Sequence, residues 1–185
     1  RSAMMRGLVP NALWWFRWGA MVTFLTGWLI VITHMVTGTG SMPYYALILT
    51  GGTLGSFMWF NVWFVIMPRQ PLAIASAEAV AAGGQANPEA AKQAPFAGRA
   101  SRTNTLFSIP MLFFMGAARH LTIVNEEMPK YGAFFAIMLV LVVLFETNIF
   151  KGTAATQKPL ATVAGTIHAG LGLTLVLFVA ASVLL

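Results

Sequence analysis

The chain has 185 residues, of which 58% are hydrophobic and 9% charged, and its formal net charge is +6. Soluble domains carry about 25% charged residues, and a soluble fold of this size could not hide so much apolar surface, so the bilayer is the expected solvent. A basic chain can bind nucleic acid, but these Lys and Arg are scattered at helix ends instead of gathered on one face, and no nucleic-acid partner is expected.

The pattern predicts an all-α integral membrane protein, a bundle of five transmembrane helices with one long cytoplasmic loop, forming a single membrane domain over residues 1–185. Five apolar segments come close to the length needed to span roughly 30 Å at about 1.5 Å per residue. The chain opens on Arg1 without an initiating Met, which suggests processing or missing upstream residues, and no signal-peptide pattern is visible. The first segment runs from about 13 to 36 and opens on Trp14, Trp15, Phe16 and Trp18, rings that favour the membrane–water boundary. The second runs from 44 to 67 and closes on Trp59, Trp63 and Phe64.

The connection over 68–104 is the only sizeable soluble segment, and it is Ala-rich. A short helix over Pro71–Ala82 is expected to stop at Gly83-Gly84. A second is expected to begin at Asn87-Pro88-Glu89 and to break at Pro95 and Gly98. Ser101, Thr103 or Asn104 would then cap the third span, 105–124, which Pro110 should kink. The fourth and fifth spans are expected over 131–150 and 160–185.

Orientation follows from the basic residues. Arg1, Arg6 and Arg17 precede or open the first span, Arg69, Lys92, Arg99 and Arg102 lie in the long connection, and Lys151 and Lys158 lie between the last two spans. The positive-inside rule places these regions, with the N-terminus, on the cytoplasmic side of the membrane. On the other side, Arg119 and Lys130 are balanced by Glu126 and Glu127.

Ionisable groups inside a bilayer are costly and default to functional candidates. Arg17 and Glu146 lie at matching depth and form a candidate structural ion pair, the alternative being that both snorkel to the interface. His34 and His120 end the first and third spans at one surface. Two imidazoles on separate helices at one depth could serve b-type haem, or copper or zinc with Met35 or Met115 as a third ligand. His168, about 12 Å into the fifth span, stands among Ala164, Gly165, Ala169, Gly170 and Gly172, where Gly170 and Gly172 could leave room for a porphyrin. Each histidine could equally be a satisfied polar residue. Asn61 is expected to hydrogen-bond across helices. The chain has no Cys, which excludes disulfides, iron–sulfur clusters and covalent c-type haem. It has no Asp and no glycine-rich nucleotide loop, and no catalytic residue is identifiable.

Three stretches carry a resemblance: Trp15-Phe16-Arg17-Trp18, Phe60-Asn61-Val62-Trp63-Phe64-Val65-Ile66-Met67-Pro68-Arg69-Gln70, and Ser101 to Ala118. Together they resemble the N-terminal membrane domain of membrane-anchored bacterial urate oxidase (urate hydroxylase), over roughly residues 14 to 120 and by pattern only in the last two spans. The resemblance implies a helical membrane domain tied to urate oxidation, passing electrons to a cytochrome c domain or partner. This chain departs from it in lacking a c-type haem domain and the expected opening helix or helices, and in Gly19, where the family pattern has an acidic residue.

Two functions compete. One is a membrane subunit of a redox complex that binds b-type haem through His34, His120 and His168, with Arg17, Arg102 or Arg119 attracting an anionic substrate or propionates. The other is a non-catalytic accessory subunit of a larger respiratory or photosynthetic membrane complex. Both imply the lipid bilayer and protein partners. A transporter is disfavoured, because the spans offer no continuous polar path.

Overall fold

The computed structural model describes residues 2–121, 123 and 129–185, with side chains from residue 11 onward within that set. Arg1, Val124, Glu126 and Glu127, on which parts of the topology expectation rest, lie outside the described residues. Helix α1 spans Ser2–Thr37 and closes on Gly38 at φ +64. Thr39 N–H donates to the His34 carbonyl and Gly38 N–H to the Met35 carbonyl, so the left-handed glycine lets the chain satisfy two terminal carbonyls and reverse. Ser41 then caps α2, Met42–Phe60, by accepting from Tyr44 N–H.

The end of α2 widens into a π-helical turn, Asn61–Ile66. Pro68 follows and has no N–H to give the turn's last carbonyls. Arg69 fills that gap: its guanidinium donates to the Val65 carbonyl at 2.8 Å and to Gln93 Oε1 at 3.0 Å. Helix α3, Gln70–Ala81, ends where Gly83 takes φ +84.

Helix α4, Pro88–His120, is one continuous helix capped by Asn87. The expected break at Pro95 and Gly98 does not occur. Tertiary contacts override the local propensity: Phe96 stacks on Phe150 with centroids 5.7 Å apart, Arg99 Nε donates to the Ile149 carbonyl, and Ala97 and Ala100 are buried. The expected loop over 68–104 is therefore helical outside Ala82–Asn87 and the turn at Met67–Arg69. Helix α5, Tyr131–Lys151, leads through a one-turn helix α6, Ala154–Gln157, and a 3₁₀ turn, Lys158–Ala161, to α7, Val163–Leu184.

Helix α4 is the centre. It packs against α2 on one side and α7 on another, with α5 and the π turn completing its surroundings. Leu106, Phe107 and Phe114 are fully buried there. Helix α5 gives it a stripe of Phe134, Met138, Val142, Glu146 and Ile149, and α7 gives Thr166, Gly170, Leu173, Leu177 and Ala181. Helix α1 stands outside and docks on α2 through an aromatic ladder. Trp18 meets Trp63 edge-on, Phe24 stacks on Trp59 at 4.4 Å, Trp28 Nε1 donates to Ser56, and Tyr45 donates to the His34 carbonyl. Val31 is its one buried side chain among those described.

Among the described residues, four helical segments are long and apolar enough to cross a membrane: Asn11–Thr37, Met42–Ile66, Tyr131–Lys151 and Val163–Leu184. Their outward faces stay apolar, as at Leu29, Leu144 and Leu175, which is the pattern of helices solvated by lipid. The third expected span, now the second half of α4, falls short of that apolar standard. Its central place explains why. A helix surrounded by other helices can carry Asn104, Ser108 and their neighbours without showing them all to lipid.

Pro110 removes one α4 hydrogen bond and frees the Leu106 carbonyl. A Cβ built on Gly170 would meet that oxygen at 2.8 Å and Ile109 Cδ1 at 2.6 Å, whereas one on Gly172 would meet nothing within 4 Å. Close approach of α7 to α4 therefore depends on Gly170. Gly170→Leu is expected to cost about 1–3 kcal/mol through overpacking, and Gly172→Leu to stay within about 0.5 kcal/mol of the parent. Thermal unfolding in detergent, followed by Trp fluorescence, measures both. Equal melting of the two variants contradicts the α4–α7 contact.

Candidate functional site

The polar residues of this apolar bundle gather at one level. Asn61 opens the π turn and is fully buried. Its Nδ2 donates both hydrogens, one to Glu146 Oε1 at 2.8 Å and one to Asn104 Oδ1 at 2.9 Å. Asn104 Nδ2 passes on to the Met58 carbonyl at 3.0 Å. One amide thus ties α2, α4 and α5 together around a carboxyl that is 9% exposed. The wider π turn fits this role, since π-bulges in helices often coincide with functional positions.

Satisfaction is incomplete at this level. Among the described residues, the buried side-chain atoms without a hydrogen-bond partner are Trp59 Nε1, Asn61 Oδ1, Trp63 Nε1, Arg102 Nη1 and Thr103 Oγ1. All five fall in two short segments beside the Asn61–Glu146 pair. Buried polar groups are nearly always paired, so this concentration is unusual. Thr103 lies one turn beyond Ala100, and Glu146 one turn before Ile149, on faces that pack together.

A cleft of about 960 Å³ opens beside the cluster, between α1 and α4, with the π turn as its floor. The α1 wall presents Trp15, Phe16 and Gly19. The α4 wall presents Ser101, Asn104, Thr105 and Ser108, which the i, i+3, i+4, i+7 spacing sets in one stripe. Asn104 belongs to both cleft and cluster.

The candidate residues read from the sequence are dispersed. Arg17 and Glu146 do not form the expected ion pair: Arg17 lies 4.0 Å over the Trp63 ring, while Glu146 accepts from Asn61. The indole face reaches Arg17 first, and the cation–π contact leaves the guanidinium exposed. Among the described residues the one ion pair is Lys92 with Glu89.

His34 bonds through Nδ1 to Thr39 Oγ1 at 2.7 Å, and its ring lies against Tyr44. His120 is exposed at the last residue of α4. Both stand at the same end of the bundle, on helices that flank α2. His168 is elsewhere. Helix α7 begins at Val163, so His168 lies about 8 Å into it. Gly170 packs beside Leu106, and Phe178 against Phe113, so α7 runs parallel to α4. That register puts His168 roughly 20 Å along the bundle from His120. It is exposed, on the face of α7 opposite Thr166 and Gly170, and Gly170 is filled by α4, leaving no slot for a porphyrin there.

A bis-histidine haem needs two rings facing across one plane. Among the described residues, none of the three imidazoles touches another. The described residues hold no group of three or more His, Cys, Asp or Glu that could bind a metal. Met115 packs on Gly51, and Met35 is exposed. Asn104, expected with Ser101 and Thr103 as one of three alternative helix caps, instead bonds to Asn61 and the Met58 carbonyl in mid-helix. The usable signal was its company: two Asn and one Glu inside otherwise apolar segments.

Asn61→Leu is expected to destabilise the bundle by about 1–2 kcal/mol, because the Glu146 carboxyl loses its donor. Adding Glu146→Leu should restore much of the loss. A double-mutant cycle on melting in detergent reads the coupling, and additive losses mean that the pair does not interact.

A family model described as urate oxidase N-terminal matches residues 41–180. No curated protein and no solved structure matches the chain. The match leaves out the Trp15–Trp18 entry to α1 and takes in α5 and most of α7, which the sequence motifs supported by pattern alone. Because it covers well over half of the residues and contains the Asn61–Asn104–Glu146 cluster, the chain belongs to the urate oxidase N-terminal family.

Proposed function

We propose that the chain is a multi-pass membrane subunit of a redox assembly of the urate-oxidising type. The observation that carries this reading is the family match across α2 to α7, on a bundle whose outward faces are apolar. In this reading α1, α2, α4, α5 and α7 all cross the bilayer. Arg69, Lys92, Arg99, Lys151 and Lys158 share one end of the bundle, where Arg99 reaches the end of α5. The positive-inside rule makes that end, with the N-terminus, cytoplasmic, in a bacterial inner membrane.

The chain's own part is to hold the assembly in the membrane and to present exposed histidines to a neighbour. His168 stands among the exposed apolar residues Ile167 and Leu171. An imidazole on a lipid-facing surface is costly, and a partner subunit removes that cost. His120 and His168 are the positions from which this chain would contribute one ligand each to b-type haem shared with other chains, and a cytochrome c is the acceptor that the family suggests. The second reading, an accessory subunit without a cofactor, draws on the dispersal of the imidazoles.

A mild-detergent preparation that keeps partner subunits is expected to show a reduced-minus-oxidised b-type spectrum, with pyridine haemochrome confirming the haem. The signal should weaken in His168→Ala or His120→Ala. A colourless intact assembly that does not reduce cytochrome c with urate overturns the redox reading and leaves the accessory one.

A further inference from the structure

The cleft between α1 and α4 has a composition that narrows its ligand. None of the described residues lining it is charged. A neutral ligand suits these walls, because an anion held by them alone would lack a counter-charge. The cleft lies between segments read as lipid-embedded, where a molecule dissolved in the bilayer can reach it. Its volume lies at the upper end of the range for small-molecule sites.

The two walls differ in kind. On α1, Trp15 and Phe16 offer flat apolar surfaces, 70% and 72% exposed, with Gly19 leaving space between the helices. On α4, a polar stripe faces them. The Ser101 hydroxyl on that stripe and the Gln70 amide at the rim make no hydrogen bond within the described structure, so both are free to donate to a ligand oxygen. Asn104 links the stripe to the buried Asn61 and Glu146. A bare acyl chain would use the aromatic wall and leave the polar one unpaired. A neutral planar ring bearing carbonyl or hydroxyl oxygens, with an apolar tail, uses both.

We infer that this cleft is a binding site for a membrane-soluble quinone-class molecule, its ring between Trp15–Phe16 and the Ser101–Ser108 stripe and its tail running out along α1. The inference concerns binding alone and does not depend on the redox reading.

The test is a titration of the detergent-purified chain with decylubiquinone, followed by quenching of Trp fluorescence. Quenching is expected to saturate, and Trp15→Phe to remove most of the saturable component. Gly19→Leu should weaken binding at least tenfold; a Cβ there meets nothing within 4 Å, so the fold should accept it. Ser108→Leu, which fills the cleft from the other wall, should do the same, with melting temperature as the control on folding. Quenching that rises linearly with quinone in the micelle, equally in parent and variants, overturns the site. So does a saturable signal that brominated phosphatidylcholine displaces as well as quinone does, which makes the cleft a lipid groove.

Discussion

Asn61 spends both hydrogens of its side-chain amide inside an apolar bundle, one on Asn104 and one on Glu146. The rest of the architecture depends on that choice. A buried polar group without a partner is costly, so the buried Glu146 carboxyl and the buried Asn61 amide must find partners. They do so only if α2, α4 and α5 meet at one level. The π turn starts at Asn61 itself, and Arg69 closes the turn by capping the carbonyl left over before Pro68. Helix α4 is held at the centre as a consequence.

That central position accounts for the uneven chemistry of the helices. Those on the outside, α1, α5 and α7, carry apolar residues on their free faces. Helix α4 carries polar residues because neighbours cover it. One polar stripe is left over, on the side where α1 stands away, and it becomes the wall of the cleft. The site and the packing are two results of a single arrangement: polar groups that join helices on one face of α4 leave polar groups without partners on another. The chain belongs to the urate oxidase N-terminal family, and this arrangement of α2, α4 and α5 falls inside the matched residues.

Much of this was legible in the sequence, and the reasons for the rest are physical. The apolar runs announced α1, α2, α5 and α7, because lipid imposes an apolar requirement that composition records directly. Gly83-Gly84 and Asn87-Pro88 announced the ends of α3 and α4 through local backbone chemistry. Pro95 and Gly98 misled, since the contacts that keep α4 continuous come from Phe150 and Ile149, more than fifty residues away. Glu146 was legible as a costly residue, but its partner was not. Depth alone allowed Arg17, and only the packing shows that Arg17 turns to Trp63 while Asn61 reaches the carboxyl. His34 and His120 stand at one end of the bundle and His168 elsewhere, and a single sequence does not record lateral position.

The central claim is that α4 crosses the membrane as the fifth and innermost span, although it is less apolar than the other four. Because the chain has no Cys, single cysteines report without background. Ala86→Cys, just before α4, and Pro129→Cys, beyond its end, should be tested in intact and permeabilised cells with a membrane-impermeant thiol reagent. The account predicts labelling of Cys at 129 from outside, and of Cys at 86 only after permeabilisation. Labelling of both positions from the same side would contradict it, by showing that α4 does not span the bilayer.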